Sequence, residues 1–314
     1  MGLPIPWMRL IIREHKKEPF KGKVLTLGRM AVLANYEEVV NLFSEECVTP
    51  QPLDDNINTL TNIPYFKKMG DKYRNFTSDI VFFKLLGVES IETMDVSDYE
   101  NADIIHDLNL RVPKNLEGTF DSIFDFGTSE HIFNTKQILD NYNLMLKTGG
   151  RILHGLPSTN RVGHGFFMFS PELFYDYYMA NKFIDTRAYL VESNRGDPSF
   201  VKWKLYEYGY DTYKGIAASF KSSNALGTFF VAQKTDESTF GVIPQQGQFI
   251  ERFRNNRVNK SAAVQNVSII ASIKRYIPRP IKVIYHLLMR RIGRFKILFQ
   301  SQASKAGLRY LGKI

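Results

Sequence analysis

The sequence predicts an α/β fold: a mainly parallel sheet of seven strands, flanked by helices. Three observations carry this. Between Lys23 and about Thr235, short apolar runs rich in β-branched and aromatic residues alternate with longer stretches of helical period, the pattern of strand–helix units. Two of the helical stretches have legible ends. At 314 residues and 44% hydrophobic composition, the chain can also bury a sizeable core, which excludes disordered and fibrous classes.

Taken in order, the apolar runs at 24–28, 90–95, 102–107, 122–126 and 151–156, one within 200–208, and one at 228–233 read as strands. The stretches 36–46, 77–86, 132–146 and 171–182 place apolar residues three and four apart and read as helices. Gly149-Gly150 is expected to stop the third helix, and Ser170-Pro171-Glu172 to start the fourth with a cap hydroxyl, a proline in the first turn and an early acid. Residues 1–22 form an N-terminal extension and 47–75, with Pro50, Pro52 and Pro64, a surface insertion. Residues 236–262 read as a linker and 263–314 as a basic tail. Only residues 96–101 separate the second and third runs, short for a parallel crossover, which usually takes about a dozen residues.

Charge is unevenly placed. The net charge is +9, yet residues 251–314 hold 15 Lys/Arg against the single acid Glu251, which leaves residues 1–250 at −5. In the tail Ile281, Ile284, Leu288, Ile292, Phe295 and Phe299 form an apolar stripe at helical spacing, so a basic amphipathic helix is expected. It would either pack on the acidic body or lie on an anionic membrane surface; nucleic acid ranks below both, because no recognised binding module accompanies the charge. A lone Cys47 excludes an intramolecular disulfide, and no Cys/His spacing suits zinc, so a reducing, cytoplasmic setting and no metal are expected. Neither a targeting segment near Met1 nor a window of about 18 apolar residues is visible.

In open α/β sheets ligands bind beyond the carboxyl ends of the strands, so the residues that end each run matter most. The first run ends Leu27-Gly28-Arg29 and the second at Asp95; the third ends His106-Asp107-Leu108. The fourth, Phe120-Asp121-Ser122-Ile123-Phe124-Asp125, leads into Gly127-Thr128-Ser129-Glu130-His131, and Leu146-Lys147-Thr148-Gly149-Gly150 precedes the fifth. This series resembles class I S-adenosylmethionine-dependent methyltransferases over about residues 22–235, which implies a Rossmann-like sheet and S-adenosyl-L-methionine as cofactor. The compressed segment between the second and third runs is similar to a branch of that family found among carbohydrate-cluster methyltransferases, which implies a sugar, glycan or other small-molecule acceptor.

On that resemblance, Asp95 bonds the ribose hydroxyls, Asp107 and Leu108 meet the adenine, and Leu27, Gly28, Arg29 and Asp125 complete the cofactor site. Carboxylates at strand ends suit paired hydroxyl donors, although Asp also starts turns for purely local reasons. The family's glycine-rich turn is reduced here to Gly28, with Arg29 placed to pair a cofactor carboxylate; nothing matches a dinucleotide fingerprint. Methyl transfer to an alcohol needs a base, and the candidates are His164, in the glycine-flanked run Gly163-His164-Gly165, and His131. Each also has a bland role open to it, His131 in packing at a helix start and His164 as a hydrogen-bonded loop residue. The alternative function is a scaffold or binding protein that kept the fold and lost the cofactor turn.

Overall fold

The computed structural model describes residues 2–57, 60, 75–193, 203–209, 222–247 and 308–314. In chain order its strands are β1 (Gly2–Leu3), β2 (Lys23–Leu27), β3 (Ala31–Val32), β4 (Ser90–Asp95), β5 (Ile104–Ile105), β6 (Phe120–Asp125), β7 (Leu146–Thr159), β8 (Ile184–Ser193), β9 (Trp203–Tyr208), β10 (Ala225–Gln233) and β11 (Arg309–Lys313). The helices are α1 (Ile5–Lys17), α2 (Tyr36–Glu45), α3 (Asp79–Leu85), α4 (Thr135–Met145) and α5 (Pro171–Ala180). Successive residues of each strand face opposite sides, and the core splits accordingly. Val24 and Phe124 join Ile11, Phe43 and Phe82 from α1, α2 and α3. Leu25 and Ile123 join Ile138, Tyr142, Phe174 and Tyr178 from α4 and α5.

Among the described residues the main sheet runs β11-β9-β8-β10-β7-β6-β2-β4-β5. The strands β5, β4, β2, β6 and β7 are parallel, while β10 is antiparallel to both β7 and β8, and β8–β9 and β9–β11 are antiparallel pairs. The expected seven-stranded, mainly parallel sheet is thus corrected to a mixed one of nine strands. Two strands of this sheet escaped the sequence pattern: β8, whose exposed outer half carries Asp185 and Arg187 and dilutes the apolar signal, and the terminal strand β11. The short link from β4 is accommodated because β5 is only two residues long and lies at the sheet's edge.

Three segment assignments also change. Residues 1–22 are part of the body: α1 buries Trp7, Met8, Leu10, Ile11 and Ile12, and Trp7 stacks on Phe229 at 5.9 Å. Its polar side is tied to α2 through Arg9 and Arg13, which reach Glu46 at 2.6 and 2.8 Å. The start of the expected linker is bonded to the body, with Gly241 N–H donating to Asp140 Oδ1 and Val242 N–H to Asn181 Oδ1. The end of the expected tail is a strand, β11, with Ile314 and Trp203 exchanging both backbone hydrogen bonds. The tail's apolar stripe lies in residues 248–307, outside the described residues. No described helix is long and apolar enough to cross a membrane.

Gly149-Gly150 does not stop a helix. The helix α4 already ends at Met145, and the two glycines fall in a register shift of β7 against β6, where Gly149 adopts a φ of +82° and a Cβ on Gly150 would meet the carbonyls of Lys147 and Asp121 at 2.9 and 3.1 Å. Removing residues 308–314 should cost stability, since it exposes β9 and removes the buried side chains Leu308 and Ile314. A loss of about 3–5 kcal/mol is expected. Urea unfolding of the full-length and shortened chains measures it, and coincident midpoints would show that β11 adds nothing.

Candidate functional site

Strand order reverses between β2 and β6: β4 and β5 lie to one side of this pair, β7 to the other. A switch of this kind opens a crevice beyond the carboxyl ends of the two strands. Both strands end in glycine turns with left-handed backbone, Gly28 at φ +70° and Gly127 at φ +106°. The ends are also tied together, because the Thr128 hydroxyl donates to the carbonyl of Leu27 at 2.9 Å.

On the β2, β4 and β5 side of the crevice stand most of the residues expected to hold a cofactor. Asp95 is half-buried at the end of β4; its Oδ1 accepts the Ser97 N–H at 3.1 Å, and its Oδ2 accepts no hydrogen bond among the described residues. Asp107 accepts from Asn109 backbone and side chain through Oδ1, and these bonds hold its carboxyl below the usual range. Leu108 is buried in the core. Gly28 N–H donates to the Met94 carbonyl, which binds the first turn to β4. Arg29 is committed inside the protein: its guanidinium meets Asp79 Oδ1 at 2.6 Å, while Asp79 Oδ2 accepts the Met30 N–H. Burial pushes the Asp79 carboxyl upward, and the Arg29 charge works against that rise. The helix α2 that follows is closed by its own capping box, with Asn35 Oδ1 accepting from Glu38 N–H and Glu38 Oε2 from Asn35 N–H, so its N-terminus is not open to a phosphate.

Two of the residues expected to meet the cofactor have buried side chains. Leu27 is wholly buried, with its side chain in the core and only its carbonyl at the crevice. Asp125 lies beneath the crevice at 0% exposure, where Oδ2 accepts from Ser129 Oγ at 2.5 Å and Tyr142 Oη at 3.0 Å and faces His154 Nδ1 at 2.9 Å. Burial raises its pKa, but the His154 and Ser129 contacts outweigh that and hold the carboxyl below its usual value. On the far side of His154, Nε2 meets the hydroxyl of Tyr178 at 2.8 Å. His154, Tyr142 and Tyr178 passed unremarked in the sequence because they come from three separate elements.

On the other side of β6 the fold leaves a pocket of about 330 Å³ at the carboxyl ends of β6, β7 and β8. Trp7, Pro4 and Leu33 line it from the N-terminal segment and from the turn after β3, and Phe126 and Leu156 from the sheet. Both candidate bases line it as well, together with Glu130. Glu130 and His131 sit on the single 3-10 turn Ser129–His131, which Asp125 anchors through Ser129. The loop carrying His164 is pinned to the same turn, since the N–H groups of Phe166 and Phe167 both donate to the Glu130 carbonyl at 2.7 and 3.2 Å. Only glycine allows that approach: a Cβ on Gly165 would lie 2.7 Å from the Glu130 carbonyl oxygen.

The result is a compact cluster. Glu130 Oε1 lies 3.3 Å from His164 Nε2 and 3.8 Å from His131 Nε2, and the imidazole centroids are 5.4 Å apart. The Glu130 side chain is 1% exposed, and neither oxygen has a hydrogen bond among the described residues. Burial, reinforced by the charge of Asp125, pushes its pKa up to about 8. Burial lowers both imidazole pKa values, with Arg161 and the other imidazole adding to the effect on His164, so both histidines are neutral near pH 7. The expectation of no metal-ligand set rested on sequence spacing; the fold brings these three ligand atoms within 4.8 Å of one another. Adjacent Glu130-His131 was the one signal available beforehand.

Solved structures similar to this chain include Burkholderia thailandensis 1,6-didemethyltoxoflavin-N1-methyltransferase, at 12% identity over 74% of this chain and 78% of that one, with a TM-score of 0.35. A SAM-dependent methyltransferase from Archaeoglobus fulgidus matches at 11% identity over 72% and 94%, TM-score 0.36. Haemonchus contortus phosphoethanolamine N-methyltransferase 2 matches at 13% over 73% and 52%, TM-score 0.37. No family model and no curated protein matches the chain. Likeness at this level carries no argument about function, which rests on the geometry of the site.

The Glu130 pKa has a consequence for stability. With a folded value of about 8 against an ordinary 4.5, the native state keeps a proton that the unfolded chain releases, so this contribution is full below about pH 4.5 and is lost as the pH rises toward 8. Glu130→Gln, neutral at every pH, should flatten that decline and be more stable than the parent above pH 8. Urea midpoints between pH 5 and 9 decide it; parallel curves for the two proteins would place the Glu130 pKa near its ordinary value.

Proposed function

We propose that the chain is an S-adenosylmethionine-dependent methyltransferase acting on a small-molecule acceptor. The observation that carries this reading is the division of the crevice at the turn 126–128. A strand-end carboxylate with an uncommitted oxygen stands on one side, and a pocket with neutral histidines on the other. A methyl donor and an acceptor need such neighbouring sites, because displacement at a sulfonium methyl is a matter of in-line positioning.

The residues present suit the adenosine half of the cofactor better than its amino-acid half. Asp95 would bond the ribose hydroxyls and Asp107 the adenine amino group, whereas the methionine half would meet only the backbone at Gly28, since Arg29 is paired with Asp79. Bound there, the cofactor supplies an electrophilic methyl group. The chain's own part is to hold the acceptor in the pocket under Trp7 and to take its proton. His164 Nε2 suits that proton transfer, being neutral, half-exposed and on the pocket wall, with His131 beside it. A sugar or glycan as acceptor rests on the sequence resemblance alone. The rival reading, a scaffold that lost its cofactor, is favoured by the closed N-terminus of α2 and the commitment of Arg29.

Calorimetric titration with S-adenosylhomocysteine separates the two readings, and absence of binding would favour the scaffold. Asp95→Ala should weaken that binding by about 1–3 kcal/mol, the usual consequence of leaving a hydroxyl partner unpaired. Unchanged affinity in the folded variant would move the ribose contact elsewhere.

In an assay with a methyl acceptor, His164→Ala should lower turnover about 10²-fold or more while affinity for S-adenosylhomocysteine stays the same. Equal rates would remove His164 from the chemistry, and His131→Ala in the same assay tests the other imidazole.

A further inference from the structure

We propose that Glu130, His131 and His164 form a binding site for one divalent first-row transition ion on the wall of the pocket. Two imidazoles and a carboxylate are the donor set that such ions accept with coordination positions to spare, whereas magnesium and calcium prefer oxygen alone. A tetrahedral ion with bonds of about 2.1 Å holds its ligand atoms about 3.4 Å apart. The carboxylate-to-imidazole separations of 3.3 and 3.8 Å already match that spacing, and the whole set lies within 4.8 Å. The imidazoles are about half exposed, so small rotations of their rings complete the approach.

The second observation is independent of spacing. A carboxylate that is 1% exposed, with both oxygens lacking hydrogen bonds among the described residues, leaves acceptors unsatisfied in a place where burial makes that costly. It is held there by a rigid surround: Ser129 fixes the turn through Asp125, and two N–H groups from the His164 loop clamp the Glu130 carbonyl. Coordination to a cation supplies what the oxygens lack, with release of the Glu130 proton as the ion binds. Ligation would occupy the His164 Nε2 lone pair, so in the loaded site an acceptor hydroxyl on the ion's open side would be acidified by the ion and lose its proton to solvent, in place of transfer to the imidazole. That last step rests on the methyltransferase reading; the ion site itself does not.

Calorimetry with Zn²⁺, and visible absorption with Co²⁺, on full-length chelator-treated protein tests the site. One equivalent is expected per chain, and Mg²⁺ should not compete. His131→Ala and His164→Ala alter half-exposed residues and should weaken Zn²⁺ binding at least about 10-fold with circular dichroism unchanged; Glu130→Gln should do the same. Failure of the parent protein to bind Zn²⁺, or equal binding by parent and all three variants, would overturn the proposal. The titration contains neither cofactor nor acceptor, so its outcome is separate from that of the S-adenosylhomocysteine experiment.

Discussion

A buried carboxylate holds the centre of this molecule. Asp125, at the end of β6, binds the turn Ser129–His131 through Ser129, the helix α4 through Tyr142 and the strand β7 through His154, which passes the connection on to Tyr178 of α5. An ionised group without exposure survives only when its lone pairs are satisfied, and here the partners come from the elements packed around the carboxyl end of β6. The network therefore sets two things together. It locks four elements around that strand end, and its charge, on top of burial, keeps neighbouring Glu130 protonated near neutral pH.

Glu130 and Asp125 form a pair of acids with opposite fates in neighbouring positions. Asp125 is surrounded by hydrogen-bond donors and stays ionised, whereas Glu130 has none among the described residues and holds its proton. Environments that drive two carboxyl groups apart in this way are common where proton transfer or ion binding is carried out. The pocket adds the rest: an aromatic wall from Trp7 and Phe126, and glycines at 155 and 227 where a Cβ would press on the ring of Phe126 or Trp7. Close packing of backbone against ring at these points shapes the cavity as much as any polar group does.

On the opposite side of β6 the chain has gone its own way. An open glycine-rich turn leading straight into a helix would present backbone N–H groups to a ligand, but here β3 intervenes, pairing in parallel with β1, and α2 begins only at Tyr36 behind its own cap. Arg29 is drawn inward by Asp79, a buried acid that also takes the Met30 N–H. The first turn is thereby rigid and largely self-satisfied, which concentrates the polar groups available to a ligand at Asp95 and Asp107.

The sequence by itself determined the α/β class, five of the strands to within a few residues, and four of the five helices among the described residues, because hydrophobic period and cap residues act locally. It also singled out Asp95, His131 and His164, since strand-end acids and a glycine-flanked histidine are visible in one dimension. Tertiary structure decided the remainder. The helix α1 was passed over as an extension because its apolar face is recognisable only once the sheet that covers it exists, and β11 has no meaning without β9. The direction of Asp125 could not be read either: a strand's alternation says that successive residues face opposite sides, and only the packed sheet says which side is core. The union of Glu130, His131 and His164 across more than thirty residues depends on two backbone hydrogen bonds and one glycine, contacts that no spacing rule encodes, because they arise when separate loops are brought to the same strand end.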